Sequence, residues 1–172
     1  MSSVIDISHY THPILAAVVL MMECAALGGP VMGKRKQHFS PEYLEQHFGQ
    51  QLEKETGKKP PKHGYPDTGN GRFSTKWNVE QWLDFNKTMR VHLNLVELLP
   101  FLMFAILLGG VFNPWDAGLA GYLICIGRIL YHFGYRISPN WRGLGAWPTY
   151  IGATWLVTII VSGLRAMDSK TH

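Results

Sequence analysis

Cysteine is scarce in this chain: 172 residues hold two, Cys24 and Cys125, both inside apolar runs where a packed, inert thiol is the usual state. No spacing suggests a disulfide framework or a zinc set, and no metal site is expected. Basic residues are missing from the first 12 positions, while several follow the first apolar run. With no small-x-small site closing that run, a cleaved signal peptide is disfavoured and a true first helix expected. Internal repeats and low-complexity tracts are also missing.

Long apolar runs, by contrast, are abundant. Mean hydropathy is near zero only because four such runs, at about 12–33, 91–112, 115–136 and 144–165, average with a polar stretch over 37–87. Each has about 20 residues, which at ~1.5 Å per helical residue crosses a ~30 Å hydrocarbon core. The expected fold is all-α: one integral membrane four-helix bundle over 1–172, with small residues in the third and fourth runs allowing close helix contact.

Of the 16 lysines and arginines, 11 lie between Lys34 and Arg90, and Arg136 and Arg142 fall in the next loop on the same side. The positive-inside rule then puts loops 34–90 and 136–143 on the cytosolic or matrix side of an endoplasmic reticulum or mitochondrial membrane. Topology accounts for the net charge of +4, so no nucleic-acid partner is invoked.

Within the long loop 37–87, Ser40 reads as an N-cap with Pro41 at the first helical position, and Leu44, Phe48 and Leu52 recur every four residues until Gly57. An amphipathic helix over 41–56, lying on the membrane surface or on a partner, is predicted. Residues 58–72, rich in proline and glycine, read as a loop. Asn78 to Gln81 resembles a capping box, and Trp77 and Trp82 suit the headgroup zone.

Charged residues inside a membrane helix cost roughly 2.5–3.5 kcal/mol each, so a cluster needs a reason. Arg90, Asn94 and Glu97 share one face of the second span, and Arg128, Tyr131 and Tyr135 one face of the third. Arg35 closes the first span at the same level, and Arg142 follows the third. Together they suit a small ligand carrying several carboxylates and an amine, since guanidiniums fork onto carboxylates and Glu97 can take an ammonium. The plainer alternative is that the arginines pair with Glu97 and snorkel, merely holding the bundle. Glu23, a lone carboxylate in mid-span, is either a neutral hydrogen-bonded acid or wants a partner from another helix. His92 and His132 as a haem pair is too loose a signal to adopt, and His9 with His12 reads as a surface pair.

Phe85-Asn86-x3-Arg90-x-His92-x-Asn94-x2-Glu97-x2-Pro100 resembles a signature of the membrane-associated proteins in eicosanoid and glutathione metabolism (MAPEG). Gly127-Arg128-x-Leu130-Tyr131-x2-Gly134-Tyr135 resembles that family's second block, as it stands in the third microsomal glutathione S-transferase above all. The resemblance implies a homotrimer with glutathione, the co-substrate, held by Arg35, Arg90, His92, Asn94, Glu97, Tyr131 and Tyr135. Arg142 would stabilise its thiolate for attack on a lipophilic electrophile or lipid hydroperoxide. Leu98 replaces a tyrosine of several relatives, Pro30 interrupts the first span, and the loop 37–84 is longer than the family's usual connection. The rival expectation is a non-catalytic accessory subunit of a larger membrane complex, such as a mitochondrial respiratory one.

Overall fold

The computed structural model describes residues 9–60 and 67–170. The chain forms α1 (Thr11–His38), α2 (Pro41–Thr56), α3 (Val79–Phe112), α4 (Pro114–Ile137) and α5 (Gly143–Asp168), with 3-10 turns at Arg72–Ser74 and Pro139–Arg142. No strand occurs among the described residues. Four of these helices, α1, α3, α4 and α5, are long and apolar enough to cross a membrane. The all-α, four-helix class expected from run lengths is the one found. Pro30 and Pro100 stand inside continuous helices. Pro61, Gly64 and Pro66 of the predicted loop lie outside the described residues. Residues 1–25 and 94–172 make one compact unit and 26–93 a second, the division falling inside α1 and α3.

The second unit is built on local caps. Ser40 Oγ accepts from the Tyr43 amide at 3.2 Å, and Gly57, at φ 66°, closes α2 by donating to Glu53 O. A reciprocal capping box opens α3, with Asn78 Oδ1 accepting from Gln81 N at 2.9 Å and Gln81 Oε1 from Asn78 N at 3.0 Å. The apolar row of α2, Leu44, Phe48 and Leu52, is buried with Tyr43 and Phe73 packed against it, so this row is covered by the chain itself. Beside it Val31, Phe39, Phe85 and Met89 form a second cluster, capped by Trp77, whose ring is 4.3 Å from that of Phe39. The Tyr43 hydroxyl donates to Phe73 O at 2.7 Å, and burial pushes this phenol up to about 12.

Asp67 organises the turn that follows. Its Oδ1 accepts from the amides of Gly69 (2.7 Å) and Gly71 (3.1 Å), and its Oδ2 from Phe73 N (3.0 Å). Gly69 sits at φ 88°, where a Cβ would also fall 2.6 Å from the Phe85 ring, so only glycine fits. Asp84 Oδ2 lies 2.7 Å from both Lys34 Nζ and His38 Nε2, tying the end of α1 to the start of α3.

The first unit is packed as membrane bundles are, by close backbone approach rather than by hydrophobic exclusion. A Cβ on Gly145 of α5 would collide with the backbone N of Tyr131 and the carbonyl of Gly127 on α4, and a Cβ on Gly152 would sit 2.8 Å from Ala120 O. The buried Thr149 hydroxyl turns back onto Gly145 O at 2.9 Å, so it has an acceptor within its own helix. Leu20, Leu95, Ile106, Ile124 and Leu156 are fully buried, and the Tyr10 hydroxyl donates to Leu107 O at 2.9 Å. Outward-facing apolar side chains are numerous, with Phe101 73% exposed and Trp147 69%. Such a surface is stable against acyl chains and not against water.

Candidate functional site

Helical periodicity puts Arg128, Tyr131 and Tyr135 on one face of α4, and the first unit turns that face into a connected polar column. The Arg128 guanidinium carbon lies 4.7 Å from the Tyr131 ring centroid, and the Tyr131 and Tyr135 rings stack at 5.6 Å and 27°. Arg128 Nη1 donates to Asn94 Oδ1 at 3.0 Å, fixing α3 to α4.

Arg128 is 2% exposed, and its Nε and Nη2 have no hydrogen-bond partner among the described residues. A guanidinium offers five N–H donors, so one partner leaves most of its capacity unmet. In the same unit both carboxylate oxygens of Glu23 are buried with no hydrogen-bond partner among the described residues, and Glu23 stands within electrostatic reach of Arg128. Within the first unit Arg128 is thus an interior side chain held by Asn94 and Tyr131.

Of the other residues singled out in sequence, Glu97 and Arg142 belong to the first unit and are both exposed, Arg142 closing the 3-10 turn after α4. Neither hydrogen-bonds to the Arg128 column among the described residues. Arg35, Arg90 and His92 belong to the second unit. Arg35 is half-buried and Arg90 exposed. The His92 ring packs beside Gly28, with its Nδ1 buried and without a hydrogen-bond partner among the described residues.

One feature escaped the sequence reading. Next to Arg142 opens an apolar cavity of about 590 Å³, lined by Asn140, Trp141, Gly143, Leu144, Trp147 and Pro148 among others. The two tryptophans flanking Arg142 were the available signal, but their convergence depends on the 3-10 turn, which periodicity does not reveal.

The MAPEG family model matches residues 14–162, from the first span to the last. The chain belongs to the MAPEG family. The match reaches well upstream of the two sequence blocks that suggested it. As a MAPEG protein it is an integral membrane protein of the type that serves glutathione and eicosanoid metabolism. Asn94, Glu97, Tyr131, Tyr135 and Arg142 all fall inside the matched span, as do Arg35, Arg90 and His92.

Proposed function

We propose that this MAPEG protein is a membrane-bound glutathione transferase and peroxidase that activates the glutathione thiol for attack on a lipophilic substrate. The observation that carries the reading is the Asn94–Arg128–Tyr131–Tyr135 column, a prebuilt polar wall in a membrane bundle that family membership associates with glutathione. Asn94 and the two phenols bind peptide and carboxylate groups, and Glu97 takes the ammonium. Arg35, Arg90 and His92 carry ligand roles on the strength of the resemblance.

Arg142 acts on the sulfur. A free thiol has a pKa of ~8.5 and is mostly protonated at neutral pH; one guanidinium in a partly dry cleft lowers it by about one or two units, ~1.4 kcal/mol each. The thiolate then displaces a leaving group from an electrophilic carbon, or attacks the terminal oxygen of a lipid hydroperoxide, forming the S–O bond of glutathione sulfenic acid as the O–O bond breaks and the alcohol leaves, with a second glutathione giving the disulfide and water. The apolar cavity beside Arg142, with Trp141 and Trp147 in its wall, is where the lipophilic substrate lies. Exposure of Glu97 and Arg142 within one chain supports a homotrimer, in which a neighbouring copy closes the site.

Equilibrium dialysis with glutathione, followed by conjugation and peroxidase assays on Arg142→Ala, tests the proposal. Binding with activity lost in the variant supports it; no glutathione binding by the wild-type protein sinks it.

A second reading is an accessory subunit of a larger membrane complex. It is favoured by the compact unit over 26–93 and by Glu23, whose buried carboxylate has no hydrogen-bond partner among the described residues. Copurification in fixed stoichiometry with unrelated chains would establish it, and recovery as a homotrimer alone would exclude it.

A further inference from the structure

Within the first unit, α1 and α4 meet through small residues. A Cβ on Gly118 would sit 2.5 Å from His12 Cβ and one on Gly121 2.7 Å from Ala16 Cβ, while the Cys125 thiol donates to Ala16 O at 3.6 Å. The two helices therefore climb in the same direction, with His12 beside Gly118 and Ala16 beside Gly121 and Cys125. On α1, His12, Ala16 and Glu23 fall within about 40° of one another at ~100° per residue; on α4, Gly118, Gly121, Cys125 and Arg128 fall within about 80°. Glu23 follows Ala16 by seven residues and Arg128 follows Gly121 by seven, a rise of ~10.5 Å on each helix. The same seam thus carries Glu23 and Arg128 at one level, each on the face that its helix turns to the other.

Their open hydrogen-bonding edges are complementary. Arg128 Nη1 is bonded to Asn94, which leaves Nε and Nη2, the two nitrogens whose N–H bonds run side by side and fork onto a carboxylate. Those two nitrogens and both Glu23 oxygens are buried with no hydrogen-bond partner among the described residues. Buried polar groups of this kind are satisfied by protein or by ordered water. Glu23 and Arg128 stop short of a direct hydrogen bond, so water completes the link between them.

We propose that Glu23 is the counter-charge of Arg128, joined to it through ordered water, and that it is a positioning residue for the glutathione site. By balancing the guanidinium it holds Arg128 against Asn94 and the Tyr131 ring, and so sets the two groups that Arg128 orients. The positioning role rests on the glutathione reading; the pairing does not. A partner inside the chain also takes Glu23 out of the case for an accessory subunit.

Melting of the detergent-purified protein tests the pair. Glu23→Leu strands the guanidinium and lowers the melting temperature by roughly 5–15 °C. Glu23→Gln, which keeps the shape and loses the charge, falls by a comparable amount. Adding Arg128→Met to Glu23→Leu recovers most of the loss, because an apolar pair replaces a buried ionic one. The comparison does not require Arg128→Met to fold by itself. A double variant no more stable than Glu23→Leu would overturn the pairing, and so would a Glu23→Gln protein that melts with the wild type, as a neutral acid would allow.

Glutathione dialysis and thiolate titration, both well below the melting temperatures, test the positioning. Glu23→Gln binds glutathione about ten-fold more weakly, the scale of one hydrogen bond lost, yet forms the bound thiolate at the wild-type pH because Arg142 is untouched. Wild-type affinity in Glu23→Gln, or a shifted thiolate titration, would overturn the positioning role. Wild-type protein that binds no glutathione while the melting temperatures stay coupled would sink the proposed function and leave the pair established.

Discussion

Arg128 Nη1 and Asn94 Oδ1 meet at 3.0 Å, the only hydrogen bond drawn by that guanidinium among the described residues. Asn94 is therefore the acceptor on which a nearly fully buried charge depends. Asn94→Ala is expected to cost about 1.5–3 kcal/mol, the range for a hydrogen bond to a charged group. Melting in detergent measures it, and Asn94→Asp should recover most of the loss by keeping an acceptor there.

The α4–α5 seam makes a sharper steric forecast. Gly145→Ala drives a methyl group into the Tyr131 backbone and should cost about 1–3 kcal/mol or prevent folding. Gly29→Ala on α1 meets nothing within 4 Å and should be neutral, or stabilising by about 0.5–1 kcal/mol through helix propensity. Paired melting curves check the contrast.

Much of this was legible in sequence, for identifiable reasons. Run length fixes membrane-crossing helices because every spanning backbone must satisfy its own hydrogen bonds, and α1, α3, α4 and α5 follow from it. The i, i+3, i+7 spacing of Arg128, Tyr131 and Tyr135 becomes a physical column because one helix carries all three. What depended on other elements was hidden. Burial of Arg128 requires α3, the role of Asp67 requires a turn that presents three amides, and the cover over Leu44 and Phe48 includes Phe73 from the later 3-10 turn. None of these leaves a periodic trace.

Asp67→Ala removes the acceptor of three backbone amides at once and should loosen the turn over 67–74 by about 2 kcal/mol or more. Limited proteolysis reads this directly: cleavage within that turn is expected in the variant under conditions that leave the wild type intact.

Tyr43 supplies a pH signature. Its pKa is raised from 10.0 to about 12 in the folded protein, so folding favours the neutral phenol. The contribution is complete below pH ~10 and is lost as pH rises toward 12, where the phenolate must form. Ultraviolet titration of wild type against Tyr43→Phe should show one phenolate missing from the variant at the alkaline end. Loss of the hydroxyl's bond to Phe73 O should itself cost about 1 kcal/mol at neutral pH.

The central claim is that Arg142 stabilises the thiolate of bound glutathione, and thiolate absorbance on glutathione binding measures it most directly. Wild-type protein should develop the thiolate band at neutral pH, and Arg142→Ala should bind glutathione but need about one to two pH units more to form it, with activity down roughly 10- to 100-fold. An Arg142→Ala protein with an unchanged thiolate titration and full activity would contradict the account.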